Sequence, residues 1–227
     1  MAQEHTVKAF DEDITRLRGL IAEMGGLAEV AIGESMDALV HGDKELSEGI
    51  IKRDRRIDAL EAEIDKLAVR IIALRAPMAD DLREVIAAFK IAGVLERIGD
   101  YSKNIAKASN KIEGRKRFEP LTLIPAMAEI ASGMVHDALT AYAARDPEMA
   151  REVIERDEKV DAFYNTLFRT LVSHMMENPS TITSVAELLF VARNIERIGD
   201  HATNVAEMVY YAATGNYLID KEALAED

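Results

Sequence analysis

Glu96-Arg97-Ile98-Gly99-Asp100 and Glu196-Arg197-Ile198-Gly199-Asp200 are the same five residues, one hundred positions apart. Asn104 and Asn204 each follow four residues after the aspartate. Side chains at i, i+4 and i+8 fall on one face of a helix. Glu96, Asp100 and Asn104 therefore form one oxygen-bearing row, and Glu196, Asp200 and Asn204 form a second. A helix that appears twice with its acidic row intact implies a duplicated unit.

The repeat extends well beyond these pentapeptides. Asp37-Ala38-Leu39 recurs as Asp137-Ala138-Leu139, and residues 51–58 align with 154–161. The offset changes only at turns, where insertions are tolerated. Between a few Gly and Pro residues the chain is rich in Ala, Leu, Ile, Glu, Arg and Met, with apolar residues at three-to-four spacing. This patterning predicts six long helices, over about 10–40, 43–74, 80–114, 122–145, 147–176 and 183–213. Asp43 and Asp146-Pro147 read as helix starts, and Asp81 with Glu84 as a capping box. Gly42, Pro77, Gly114, Asn178-Pro179 and Gly215 read as stops. Nothing alternates like a strand. The expected fold is all-α, with six long helices forming two tandem antiparallel three-helix bundles, residues 1–118 and 119–227.

Charge excludes several functions. Forty-one acidic against 28 basic residues give a net charge of −13, which repels nucleic acid and anionic lipid headgroups. The basic group Lys107, Lys111, Arg115, Lys116 and Arg117 reads as favourable cations at a helix C-terminus. The chain has no cysteine, so disulfides and thiolate metal sites are excluded. The N-terminus lacks the apolar region of a secretory signal, and no apolar run reaches membrane-spanning length. A cytoplasmic protein is expected.

The acidic rows point inward. Advancing 100° per residue from Leu82 brings Val85, Ile86, Phe89 and Ala92 to one direction, which Glu96, Asp100 and Asn104 share. Asp54 and Asp58 form a second i, i+4 pair on the preceding helix. Asp54 and Asp100, like Asp58 and Glu96, lie equally far either side of Pro77, so a hairpin turning there sets them opposite one another. Asp157 with Asp200 and Asp161 with Glu196 centre in the same way on Asn178-Pro179. Each half is thus expected to hold four carboxylates from two facing helices.

Clustered carboxylates repel one another unless a cation sits among them. All-oxygen ligands suit magnesium, manganese, calcium or oxidised iron. The competing explanation is salt bridging to Arg53, Arg56 and Arg97, or to Arg156, Lys159 and Arg197. The pairs of Glu-x-x-His found in ferritin-like diiron proteins do not occur; His5, His41, His136 and His174 are scattered singly, and His201 follows Asp200 where the first copy has Tyr101, so histidine ligation is not common to both. P-loop, GxSxG, HExxH and dinucleotide fingerprints are missing, so catalytic residues are not expected.

These residues resemble the PhoU family of bacterial phosphate-uptake regulators. The similarity runs from Phe10-Asp-Glu-Asp-Ile-Thr-Arg-Leu17 through Glu23-Met-Gly-Gly-Leu27 and Arg53-Asp54 to Asp58. It culminates in the two Glu-Arg-Ile-Gly-Asp-x-x-x-Asn copies. The resemblance implies multinuclear metal sites on Asp54/Asp58, Glu96/Asp100, Asp157/Asp161 and Glu196/Asp200, with iron, zinc, manganese or magnesium. It also implies a cytoplasmic negative regulator, a homodimer, that contacts the ATPase subunit of the phosphate ABC transporter and the phosphate-sensing histidine kinase. Such a protein meets the membrane only through those partners. A metal-dependent hydrolase or oxidase, or a metal-storage bundle, is the alternative. Val94 against Asn194 and Gly93 against Arg193 make the two sites unequal, and Arg193 is placed to neutralise part of the second.

Overall fold

A computed structural model of the chain describes residues 2–112 and 122–218, with side chains from residue 9. Its elements are α1 (Ala2–His41), α2 (Lys44–Arg75), α3 (Asp80–Ser109), α4 (Ile124–Ala144), α5 (Pro147–Glu155), α6 (Asp157–Glu177) and α7 (Ile182–Thr214). A 3-10 turn over Pro179–Thr181 precedes α7. Among the described residues there is no strand. The six expected helices are present, the fifth broken at Arg156 into α5 and α6. Around that break the amides of Arg156 and Lys159 bond three residues back, to Val153 and Arg156, a tighter winding than the α-helix.

Most of the helix ends follow the expected chemistry. The Asp43 carboxylate accepts from the Leu46 amide, and Asp146 accepts from Glu148 and Met149. Gly42 and Gly215 have φ of 71° and 76°, a left-handed region that costs glycine nothing. The Asp81–Glu84 capping box does not form. Ala79, at φ 50°, occupies the cap position without a side-chain bond. Glu84 is buried instead and pairs with Arg18 of α1 and with Arg145, which follows α4. Two charge-assisted bonds outweigh one capping bond. Phe89, expected on the inward stripe, is 42 % exposed. The third helix ends at Ser109, and Gly114 lies outside the described residues.

Each half is a three-part bundle: α1, α2 and α3 pack together, as do α4, α5 with α6, and α7. The most extensive packing in the molecule is between the halves, α3 against α7. These two helices run antiparallel. Lys111 beyond the C-terminal end of α3 pairs with Glu187 near the start of α7, while Arg83 near the start of α3 passes Gly215 beyond the end of α7. Midway, Tyr101 meets His201. One hydrophobic core, from Leu17, Ile21 and Met24 to Val191 and Ile195, runs through both halves. No described helix is long and apolar enough to cross a membrane.

Candidate metal centre

The α2–α3 hairpin turns over residues 76–79, at the expected level. It brings Asp54 and Asp58 of α2 to face Glu96 and Asp100 of α3. Gly99 makes the close approach possible: a methyl group on it would stand 3.4 Å from Asp54 Oδ1 and 2.9 Å from Ile57 Cδ1. Asp54 is 7 % exposed. A cation from the same hairpin supports it, since the Lys103 ammonium donates to Asp54 Oδ2 and to Asp100 Oδ1. Burial alone would lower the pKa of Lys103, but these two bonds outweigh it and push the value up.

The rest of this first cluster is less well compensated. Burial, then Asp54, raises the pKa of Asp58. Burial, then Asp100, Glu61 and Asp58, raises that of Glu96. Glu61 is a further member, its pKa raised by burial and by Asp65 and Asp58. Its signal in the sequence was the i, i+3 spacing from Asp58. The second repeat carries Tyr164 at that position.

The second cluster forms between α6 and α7. One carboxylate oxygen from each of Asp161, Glu196 and Asp200 lies within 4.8 Å of the others. Asp157 stands beside them at the first turn of α6. Its pKa is pushed up to about 6, first by burial and then by Asp200 and Asp161. Burial leads the same upward shift at Glu196 and Asp200, which also feel each other or Asp161. Glu196 is 8 % exposed. Arg193 pairs with its Oε1, as the sequence suggested, while its Oε2 is buried without a hydrogen-bond partner, like Asp157 Oδ1. Gly199 repeats the role of Gly99, a methyl group there standing 3.4 Å from Asp157 Oδ1.

The basic residues expected to neutralise the clusters mostly point elsewhere. Arg53 pairs with Glu34, Arg56 with Glu23 and Arg156 with Asp137. Arg97, Lys159 and Arg197 make no ion pair among the described residues. Asn104 makes no hydrogen bond among the described residues. Asn204 is exposed and lines a groove with Glu61 and Glu96, so α7 carries it to the first cluster. The row of one repeat crosses to the other because α3 and α7 pack side by side. His41 bonds Asp37 O and His136 bonds Glu29, while His201 bonds Arg197 O and lies near enough to Asp200 to oppose the rise of its pKa.

Buried carboxylate oxygens without partners, in an all-oxygen donor set, are costly as they stand. Hard cations of the magnesium, manganese, calcium or ferric kind take such donors, so the residues fit a metal ion.

Comparison with known proteins gives a consistent result. A family model described as "PhoU domain" matches residues 21–109 and again 124–209, once per repeat. The chain is 54 % identical, over 96 % of its length and 92 % of the relative's, to a "Phosphate-specific transport system accessory protein PhoU homolog" of Zymomonas mobilis. It is 46 % identical to one of Rhizobium meliloti, over 95 % of this chain and 91 % of that one. The crystal structure of PhoU from Pseudomonas aeruginosa superposes with a TM-score of 0.88 at 35 % identity, covering 91 % of this chain and all of that one. A phosphate transport system regulatory protein PhoU from Streptococcus pneumoniae gives 0.86 at 28 % identity, over 93 % and 99 %.

Proposed function

This chain belongs to the PhoU family, and from that premise we propose that it is a negative regulator of phosphate uptake. It acts in the cytoplasm as an adaptor between the phosphate ABC transporter, through the ATPase subunit, and the phosphate-sensing histidine kinase. When phosphate is plentiful it restrains import and the starvation response. The observation that carries this reading is the match of the family to both repeats, with relatives named as phosphate-transport accessory proteins aligned over nearly the whole chain.

In this reading the carboxylate clusters hold metal ions: magnesium, manganese, iron or zinc. The unpartnered oxygens of Asp157 and Glu196 support it. An ion between α6 and α7 ties the two arms of that hairpin together and fixes the face that partners meet. An adaptor of this kind inhibits by binding one state of transporter or kinase better than another, because equal affinity for both shifts nothing. Acidic helices also suit the basic cytoplasmic loops that membrane proteins carry.

Radiolabelled phosphate uptake in phosphate-rich medium tests the role. Cells deleted for this chain should import faster than wild type, and the restored gene should reverse the change. Uptake that is indifferent to the deletion would refute the regulatory role.

A further inference from the structure

The two clusters are built on the same plan but neutralised differently. In the first, the Lys103 side chain is only 20 % exposed, and its ammonium sits between Asp54 and Asp100, on carboxylates from both arms of the hairpin. In the second, Thr203 occupies the corresponding place, and its hydroxyl donates to the Gly199 carbonyl of its own helix. The cation paired there is Arg193, which is 48 % exposed and bonds Glu196 Oε1, while Arg197 acts on Glu196 and Asp200 from a distance without an ion pair. It also lies over the Tyr164 ring at 5.7 Å. Asp157 Oδ1 and Glu196 Oε2 stay buried without partners.

We propose that Lys103 is a built-in counter-cation of the first cluster, so that the two repeats are unequal metal sites. The second cluster takes a hard divalent ion at concentrations where the first stays metal-free. This inference rests on the metal reading above and goes beyond it by assigning the two sites. The ammonium and a metal ion compete for the same oxygens. An ion entering the first cluster must displace a largely buried lysine and break two charge-assisted hydrogen bonds. An ion entering the second meets two oxygens that already lack donors, and one ion-paired guanidinium at the rim. The consequence is mechanical. Lys103 clamps α2 to α3 whatever the metal supply, whereas closure of α6 on α7 depends on metal.

Manganese(II) titration of the full chain, followed by the electron paramagnetic resonance of the free ion, tests this with reciprocal variants. In wild type, Asp161→Asn should abolish the tight binding and Asp58→Asn should spare it. Thr203→Lys, which installs the ammonium in the second cluster, should weaken tight binding at least about ten-fold. Lys103→Thr should add a class of sites that Asp58→Asn then removes. If Lys103→Thr fails to fold, the Thr203→Lys and single-asparagine arms still decide. Equal loss from Asp58→Asn and Asp161→Asn, or wild-type affinity in Thr203→Lys, overturns the inequality alone. Wild type that binds no manganese at millimolar concentration overturns the metal reading, and the inequality falls with it.

Discussion

Tyr101 and His201 meet edge to face with their ring centroids 5.1 Å apart, so equivalent positions of the two repeats touch across the α3–α7 seam. The His201 ring is fixed from its other side by a bond to the Arg197 carbonyl, and the Arg197 guanidinium lies 5.9 Å from the Tyr101 ring. The contact joins the halves at the residues that directly follow Asp100 and Asp200. Edge-to-face pairs contribute about 0.5–1.5 kcal/mol beyond their buried area. His201→Ala should therefore cost about 1–2 kcal/mol and lower the melting temperature by roughly 2–8 °C for a chain of this size. Thermal denaturation followed by circular dichroism reads this directly.

The repeated glycines have a packing role that a helix-propensity scale does not reveal. Alanine normally favours a helix over glycine by about 1 kcal/mol. Gly19, exposed on α1 with open space around it, should show that gain when changed to Ala. At Gly99 the new methyl would press on buried Ile57 and crowd Asp54. Gly99→Ala is therefore expected to lose about 1–2 kcal/mol net. Gly199→Ala, where the nearest contact is 3.3 Å from Val160, should cost less. Urea denaturation of the three variants gives the order.

Glu84 ties α1 and the α4–α5 corner to α3 through Arg18 and Arg145. Its removal leaves two guanidiniums without their counter-charge. A fully buried pair broken on one side costs about 3–5 kcal/mol. Both arginines here are partly in water, at 42 % and 50 % exposed, so Glu84→Ala should cost about 2–3 kcal/mol. Glu84→Gln, which keeps hydrogen-bond acceptance, should recover part of that. A stability unchanged by Glu84→Ala would mean the triad does not hold the halves together.

The crowded carboxylates set the pH dependence of the metal-free protein. Asp157 has a pKa of about 6 in the fold, against 3.8 when unperturbed. Between those values the folded chain holds a proton that the unfolded chain releases, so stability falls as pH rises through the window. The penalty is fully present above about pH 6. Asp58, Glu96, Glu196 and Asp200 shift in the same direction. Chelator-treated protein should therefore be more stable toward urea at pH 5 than at pH 7. Asp157→Asn should flatten the slope, and added metal should reverse it. A metal-free stability that rises from pH 5 to pH 7 would contradict the crowding.

Much of this was legible in the sequence because the signals are periodic. A row repeated one hundred residues on, and carboxylates equidistant from Pro77 or from Asn178-Pro179, fix both the fold and the level at which acids meet. What escaped depends on approach between elements. Lys103 belongs to no repeated pattern, since Thr203 stands at its place in the second copy, and its reach to Asp54 depends on Gly99 letting α2 come close. Asn204 is in phase with Glu196 and Asp200, yet the antiparallel seam hands it to the groove beside Glu96. Glu84 follows a capping pattern that two distant arginines override. Helical phase reports which face a residue occupies, but not which neighbour that face meets.

The most direct measurement is repression of a starvation-responsive alkaline phosphatase reporter in phosphate-rich cells lacking this chain. The deletion is complemented with wild type, with Asp54→Asn/Asp58→Asn, or with Asp161→Asn/Asp200→Asn, at matched protein levels. Wild type should restore low activity, the first-cluster variant should largely do so, and the second-cluster variant should leave activity high. Low activity with the second-cluster variant, or low activity in the deletion itself, would contradict metal-dependent restraint of the phosphate response by this protein.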